Sequence, residues 1–357
     1  MTQGILSTIG RTPLVELTRV FKNRGIRLFG KMEQLNPGGS IKDRPAANII
    51  QHGLASGAIR PDSIVIESSS GNMGIGLAQV CAYFNLRFIC VVDPKITALN
   101  IALLKAYNAR VEVVRERDAA TGEYLPARIR RVKELVDQYK NSYWPNQYIN
   151  EHNSGAHYKT MQEIANSMNG KLDYIFCATS TCGTLRGCSE YIRQNNLQTR
   201  VVAVDAVGSI IFGGQSAKRL IPGHGASIVP GLFYEGLADQ CVQVTDRECV
   251  VGCHRLLRDE AFLAGGSSGA IIAAIEKCLP TISQGSTSVA IFPDRGERYL
   301  DTIYSREWIK ENFGDVPTLW PLKTEEEHLK MLQENFRVQE SPSGRKVAEN
   351  AEEHVEV

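Results

Sequence analysis

One lysine lies in a short stretch whose neighbours could make it reactive. Residues 36–45 read Asn-Pro-Gly-Gly-Ser-Ile-Lys-Asp-Arg-Pro, so Lys42 follows a Pro-Gly-Gly turn and precedes a segment with the pattern of a helix start. Gly38 and Gly39 permit backbone angles that other residues avoid, and Pro45 suits the first turn of a helix. A lysine beside a helix N-terminus is a candidate phosphate ligand or Schiff-base former. Most lysines are simply solvated, but the flanking residues favour a functional one here.

A second polar stretch ends a predicted strand and begins a predicted helix. It reads Ser-Ser-Gly-Asn at residues 69–72. Hydroxyl and backbone N–H groups at such a helix start suit a substrate carboxylate, although an ordinary N-cap would also explain Ser70 or Asn72. Residues 180–184 and 265–269 are further stretches rich in Gly, Ser and Thr that precede predicted helices. Either of them, taken alone, could be a simple turn.

Three of these motifs follow one another in an order that resembles a known family. They are Asn-Pro-x-x-Ser-x-Lys-x-Arg at residues 36–44, Glu-Ser-Ser-Ser-Gly-Asn at 67–72 and Gly-Gly-Ser-Ser-Gly at 265–269. All three are similar to motifs of the fold type II pyridoxal-phosphate enzymes, the cysteine synthase/cystathionine β-synthase family. The resemblance extends over about residues 5–305. It implies pyridoxal 5'-phosphate as cofactor and a two-lobed α/β fold like tryptophan synthase β, with parallel sheets covered by helices.

The resemblance also implies roles for particular residues. Lys42 would form the Schiff base with the cofactor and move the proton at the substrate Cα. Asn72 would contact the phenolic oxygen of the cofactor, and Ser267 would face the pyridine nitrogen. The cofactor phosphate would be bound by Ser180, Thr181, Cys182, Gly183 and Thr184. The substrate would be bound by Ser69, Ser70, Gly71, Asn72, Arg128 and Tyr148.

Several residues depart from ordinary cysteine synthases. Met73, which cannot donate a hydrogen bond, stands where Thr is usual, and Ser180 and Cys182 replace glycines. Residues 293–299 read Pro-Asp-Arg-Gly-Glu-Arg-Tyr where Pro-Ser-Ser-Gly is usual. With Arg128, these departures resemble the subgroup that joins O-phospho-L-serine to L-glutamate through an aminoacrylate, toward 2,3-diaminopropionate for siderophores or antibiotics. Both substrates are anions that need fixed cations, for which the candidates are Arg128, Arg186, Arg219 and Arg295.

Two other functions stay open at this point. A cysteine synthase or O-phosphoserine sulfhydrylase would share the first half of the reaction and use sulfide instead of glutamate. A non-catalytic relative that regulates a partner is the alternative from a different class. The retained residues Lys42, Asn72 and Ser267 argue against that second alternative.

Alternating strand and helix patterns predict parallel sheets. Continuous apolar runs such as residues 88–92 imply strands that are covered on both faces. We expect two lobes, with the active site between them at the carboxyl ends of the strands. By family likeness, residues 37–147 would form a smaller mobile lobe, and 1–36 with 148–322 the larger cofactor-binding lobe. Residues 323–357 would add a helix and a disordered tail.

Composition narrows the set of partners. The 357 residues carry a formal net charge of +1, which gives no broad field for nucleic acid or a membrane surface. No apolar stretch approaches the roughly 18 residues of a membrane span, and the first residues do not resemble a secretory signal. We therefore expect a cytoplasmic protein. The nine cysteines include no Cys-x-x-Cys, which favours buried free thiols over zinc ligands. Amino-acid substrates and a homodimer are implied by the resemblance.

Overall fold

The computed structural model describes residues 4–316 of the chain. By internal contacts the chain divides into two units, Met1–Gly314 and Asp315–Val357. All the elements below lie in the first unit, and only Asp315 and Val316 of the second are described. The helix and tail predicted for residues 323–357 therefore lie outside the described residues.

The described part of the chain contains ten strands. They are β1 (Leu14–Leu17), β2 (Arg27–Met32), β3 (Ile64–Ser68), β4 (Arg87–Val92), β5 (Arg110–Val113), β6 (Ser142–Tyr143), β7 (Tyr174–Ala178), β8 (Arg200–Ala206), β9 (Gln240–Val244) and β10 (Thr287–Phe292). Strands β3, β4, β8 and β10 are buried along nearly their whole length. Such burial on both faces explains why these strands are continuous apolar runs and not alternating ones.

The strands form two sheets. One has six strands in the order β1-β2-β10-β7-β8-β9, and the other has four in the order β5-β4-β3-β6. All neighbouring strands are parallel except β1 and β2, which are antiparallel. The α/β fold with parallel sheets that the sequence predicts is thus confirmed.

Helices connect and cover these sheets. Those in residues 4–316 are α1 (Asp43–Ala55), α2 (Asn72–Tyr83), α3 (Ala98–Ala106), α4 (Tyr124–Gln138), α5 (Glu151–Ser167), α6 (Gly183–Gln194), α7 (Asp246–Glu260), α8 (Gly266–Cys278) and α9 (Arg306–Phe313). Helix α2 shows how the sequence pattern determines packing: its apolar residues Met73, Leu77, Val80 and Cys81 recur at helical spacing and all lie in the core. Gly76 lets α2 approach α1, because a Cβ there would lie 3.1 Å from the carbonyl oxygen of Lys42.

Each sheet takes all its strands from a single predicted lobe, and the two sheets come from different lobes. The six-stranded sheet uses residues 14–32 and 174–292, and the four-stranded sheet uses residues 64–143. The lobe boundaries and the mobility of the smaller lobe stay predictions. Strands β6 and β9 and helices α7 and α9 were not expected from the sequence.

Two further features of the described residues are the state of the cysteines and the hydropathy of the helices. All nine cysteines are free, and eight of them are buried, whereas Cys241 is exposed. Across residues 4–316, no helix combines the length and the apolar character needed to cross a bilayer.

Candidate active site

A cavity of about 400 Å³ lies where strands of both sheets end. Its walls include residues directly after β3, β4, β7 and β10, as expected for a site at the carboxyl ends of parallel strands. Ligand pockets of small-molecule enzymes fall in this range of volume. Every residue to which the family resemblance gives a role in binding cofactor or substrate lines this cavity: Lys42, Ser69, Ser70, Gly71, Asn72, Arg128, Tyr148, Ser180, Thr181, Cys182, Gly183, Thr184 and Ser267.

Backbone hydrogen bonds fix the turn that carries Lys42. The turn closes between Gly39 N–H and the Asn36 carbonyl at 2.8 Å, and Gly39 takes a φ of +83° that glycine tolerates best. The Ile41 N–H donates to the carbonyl of Pro293 after β10 at 2.7 Å. Helix α1 begins at Asp43, so the predicted position of Lys42 at a helix N-terminus is confirmed.

The surroundings of Lys42 favour its neutral form. Burial lowers the pKa of the Lys42 amine, and the nearby carboxylate of Asp294 partly opposes that shift. A neutral amine has a free lone pair, which both a nucleophile and a base require. Burial in the cavity therefore shifts the Lys42 amine toward the neutral form that this chemistry needs.

Arg44 anchors the same turn through buried ion pairs. Its guanidinium contacts both carboxylate oxygens of Glu33 at 2.7 and 2.8 Å and both of Glu163 at 2.7 Å. Lys31 also pairs with Glu163, at 2.7 Å. Asn36 donates to Glu33 Oε2 at 2.9 Å and accepts from the N–H of Gly10. The Asn and Arg of the lysine motif thus hold the turn in place, and neither lines the cavity.

Asn72 belongs to a hydrogen-bonded group near Lys42. Its amide donates to Asp294 Oδ2 at 2.7 Å, and its carbonyl accepts from Arg298. The Tyr299 hydroxyl donates to the same Asp294 oxygen at 2.5 Å. Burial raises the pKa of Asp294, against the effect of these two donors. The group fixes the Asn72 side chain at the cavity wall.

Arg128 is held against the Ser-Ser-Gly-Asn stretch. Its NH1 donates to Ser70 Oγ at 2.9 Å, and its Nε lies 3.3 Å from Asp93 Oδ2. The Ser70 hydroxyl in turn donates to Asp93 Oδ2 at 3.1 Å. Ser69 Oγ accepts from the N–H of Gly74 in the first turn of α2 at 2.9 Å. Ser69 therefore satisfies a helix N-terminus, while Ser70 positions a cation.

Residues 180–184 line the cavity at the N-terminus of α6. Gly183 is required by packing, because a Cβ there would come within 2.2 Å of Asn153 Oδ1. Cys182 has a φ of +63°, in the region that favours glycine. Its buried thiol packs with Ile211, Ala226 and Leu232. Burial raises the pKa of that thiol to about 12, so it stays protonated.

The other candidate residues divide into two groups. Tyr148, Ser267 and Arg219 line the cavity, whereas Arg186 and Arg295 do not. Arg186 pairs with Glu190 one helical turn away at 2.7 Å, and Arg295 donates to the backbone carbonyl of Gln34. Arg186 and Arg295 are therefore occupied elsewhere and are not substrate cations in this arrangement.

Sequence reasoning missed several residues of the cavity wall. Asp294, Arg298 and Tyr299 line the cavity, although the sequence marked them only as departures from a family pattern, and Asp93 lines it as well. His224 was not considered, although its Pro-Gly-His-Gly context at residues 222–225 signals a tight turn.

The cavity fits pyridoxal phosphate in its donor chemistry. The first N–H groups of α6 have no partner within the helix and, with the hydroxyls of Thr181 and Thr184, suit a phosphate. Lys42 supplies the amine for a Schiff base, and the hydroxyl of Ser267 at the start of α8 suits a ring nitrogen. Within residues 4–316, no cluster of His, Cys, Asp and Glu has the arrangement of a metal site.

The comparisons with known proteins agree with this chemistry. The family described as pyridoxal-phosphate dependent enzyme matches residues 5–294. The O-acetylserine dependent cystathionine beta-synthase from Helicobacter pylori is 30% identical, with a TM-score of 0.79, covering 85% of this chain and 99% of that chain. O-ureido-L-serine synthase is 28% identical, with a TM-score of 0.80 and coverages of 92% and 99%. O-acetyl serine sulfhydrylase isoform 3 from Entamoeba histolytica is 32% identical, with a TM-score of 0.79 and coverages of 85% and 92%.

Proposed function

The chain belongs to the family of pyridoxal-phosphate dependent enzymes, and on that premise we propose that it joins O-phospho-L-serine to L-glutamate. The reaction is a β-replacement, the class that its named structural neighbours support. The products are N-(2-amino-2-carboxyethyl)-L-glutamate and phosphate, as for N-(2-amino-2-carboxyethyl)-L-glutamate synthase. Such a product would serve 2,3-diaminopropionate biosynthesis.

Lys42 is the residue on which the chemistry depends. Pyridoxal phosphate, when bound, supplies a carbonyl for the lysine amine and an electron sink for the substrate Cα. Lys42 would hold the cofactor through its amine, and the same amine, once free, would take the α-proton of phosphoserine and later return it. Ser267 would offer the pyridine nitrogen a hydroxyl, and Asn72, which is held by Asp294 and Arg298, would contact the phenolic oxygen.

The observation that carries the choice of anionic substrates is the position of Arg128. A guanidinium that is tied to Ser70 and Asp93 stands at the stretch expected to bind the substrate. Because it is already oriented, it can bind carboxylate or phosphate oxygens with little loss of side-chain entropy. Tyr148 and Arg219 line the same cavity and add a hydroxyl and a second cation.

The proposed reaction needs no reactant besides phosphoserine and glutamate, because each bond that breaks is matched by one that forms. The Cβ–O bond of phosphoserine breaks and phosphate leaves with the bonding electrons. The α-amine of glutamate forms the new Cβ–N bond and loses one proton. The α-proton that Lys42 removed returns to the same carbon.

Mass spectrometry of the products tests this proposal. Purified protein loaded with pyridoxal phosphate is given O-phospho-L-serine with a mixture of L-glutamate and sulfide. We expect the glutamate adduct to dominate, and Lys42→Ala to form none while losing the absorbance of the lysine-bound cofactor near about 410 nm. Cysteine as the main product would refute the choice of glutamate.

A cysteine synthase is the second candidate. It is favoured by the O-acetyl serine sulfhydrylase among the similar structures, at 32% identity. The same mixture decides between the two, because both enzymes share the first half of the reaction. A non-catalytic regulatory relative would give neither product and would keep no borohydride-reducible bond at Lys42.

We further propose that residues 37–147 move as the smaller lobe during turnover and that two copies form a homodimer. Light scattering of the purified chain measures the assembly directly. A monomeric mass would refute the dimer without affecting the proposed reaction.

A further inference from the structure

His224 is a buried histidine whose polar atoms have no partner. It lies in a turn within the long segment that joins β8 to β9, lines the cavity and is only 2% exposed. Neither Nδ1 nor Nε2 has a hydrogen-bond partner among the described residues. Buried polar groups are nearly always paired, because leaving one without a partner destabilises the protein. A cavity ligand is the natural partner for this imidazole.

The turn around His224 is held on both sides. The Gly225 N–H donates to the carbonyl of Thr179 at 2.8 Å, and the Ala226 N–H donates to Ser209 Oγ at 3.1 Å. A Cβ at Gly225 would lie 2.8 Å from the Cβ of Ala206, so residue 225 must be small for the turn to pack. The backbone therefore fixes the histidine at the cavity wall.

Arg219 stands next to this turn and adds positive charge. Its Cδ would lie 3.3 Å from a Cβ built on Gly225. Arg219 lines the cavity, donates to the Gly208 carbonyl at 3.2 Å, and has no carboxylate within ion-pair distance in residues 4–316. Glu123, Asp205 and Asp246 act on it only at longer range. Its charge is thus less neutralised than that of Arg128.

The charge state of His224 decides what it can bind. Burial lowers its pKa to about 4, with a smaller contribution from Arg219. The imidazole is therefore neutral at physiological pH and offers one N–H donor and one acceptor nitrogen. A cationic ligand would be repelled by Arg219, whereas an anion would be attracted by Arg219 and could accept from the imidazole N–H.

We infer that His224 and Arg219 form a subsite that binds an oxyanion group of an amino-acid substrate. The group is either the phosphate of the donor or the side-chain carboxylate of the acceptor, which share this chemistry. The inference rests on the proposed function only in that the cavity receives amino acids of this kind.

The test compares the wild-type holoenzyme with His224→Leu and His224→Gln. Leucine has nearly the volume of histidine without polar atoms, and glutamine keeps a donor and an acceptor. KM is measured in two pairs of substrates. The donor pair is O-phospho-L-serine and O-acetyl-L-serine, and the acceptor pair is L-glutamate and L-glutamine. In each pair the first substrate carries an oxyanion group that the second lacks.

We expect His224→Leu to raise KM about tenfold or more for one oxyanion-bearing substrate and less than about threefold for its uncharged counterpart. His224→Gln should restore most of this loss. The free His224→Leu protein should be at least as stable to urea as wild type, since it loses an unpaired polar group. Arg219→Gln should reproduce the KM pattern, and Arg186→Gln, a matched control outside the cavity, should leave KM unchanged.

The pattern of losses identifies the ligand or overturns the inference. A loss confined to phosphoserine assigns the subsite to the phosphate, and one confined to glutamate assigns it to the carboxylate. Equal losses for both members of each pair, no loss, or weaker cofactor retention with unchanged KM would overturn it. If the wild type makes no glutamate adduct, the proposed function is wrong. In that case the subsite is tested only with the donor pair, with sulfide as the acceptor. The absence of a KM increase that is selective for phosphoserine would then overturn the subsite.

Discussion

Two segments on the cavity wall differ in how their polar groups are satisfied. The lysine turn (residues 36–45) is tied into the protein, with every guanidinium nitrogen of Arg44 paired and both ends of the Asn36 amide bonded. The histidine segment (residues 219–226) keeps two free imidazole nitrogens and a cation without an ion-pair partner among residues 4–316.

The difference separates two tasks of one site. A lysine that must meet a cofactor carbonyl in the same geometry at every turnover gains from a turn fixed by protein contacts alone. Groups that select a substrate must keep hydrogen-bonding capacity for that substrate. On this proposal, the unpaired nitrogens of His224 would contribute to substrate specificity, and the paired groups around Arg44 would hold the reactive lysine in place.

The largest loss of stability is expected from a substitution that breaks the lysine turn. Arg44→Met leaves Glu33, which is fully buried, without its cation, and an uncompensated buried charge costs about 3–5 kcal/mol. Urea unfolding should show a loss of that size. Arg219→Gln, the matched change in the histidine segment, should cost less than about 1 kcal/mol. Equal losses for the two variants would contradict the proposed division between the segments.

A pH effect should arise from Asp43 in the lysine turn, whose Oδ1 is buried without a hydrogen-bond partner. Burial raises the pKa of Asp43 from 3.8 to about 7, against the hydrogen bond from the Gly38 N–H and the charges of Arg298 and Arg295. Between these values the folded state keeps a proton that the unfolded state has lost. The contribution of Asp43 to stability is therefore greatest below about pH 4 and declines as the pH rises to about 7.

Asp43→Asn removes that titration while keeping an acceptor for Gly38. We expect the variant to gain stability relative to wild type by a few kcal/mol between about pH 4 and pH 8. Urea unfolding of both proteins at several pH values measures the gain. A difference between the proteins that stays constant over this range would show that Asp43 is ionised in the folded state like an exposed aspartate.

The smallest expected effect concerns Arg128, a cation that is both paired and in the cavity. Arg128→Ala should lower kcat/KM for phosphoserine and glutamate by about tenfold or more, because the oriented cation is lost. Arg131→Ala is the matched control on the same helix α4, since Arg131 pairs with Glu112 outside the cavity. A loss for Arg128→Ala within about threefold, which is roughly 0.65 kcal/mol, would remove Arg128 from the substrate site.

Much of the fold and the cofactor side of the site follows from local sequence. Apolar runs such as residues 88–92 predict buried parallel strands, and the Pro-Gly-Gly-Ser-Ile-Lys order places Lys42 directly before α1. Periodicity, glycine conformations and helix capping are all local, so they can be recognised from neighbouring residues. The residues to which these motifs give a role in binding cofactor or substrate line one cavity.

The partners of these residues depend on distant segments of the chain. Arg44 and Glu163 are 119 residues apart, and Asn72 and Asp294 are 222 apart, so no local pattern shows that they pair. The same holds for Arg186, which the sequence offers as a substrate cation and the fold turns away from the cavity. The sequence by itself determined which groups are available for the chemistry. Only tertiary packing decided which of them satisfy one another and which, like His224, stay free for a ligand, because pairing and burial depend on how distant segments pack.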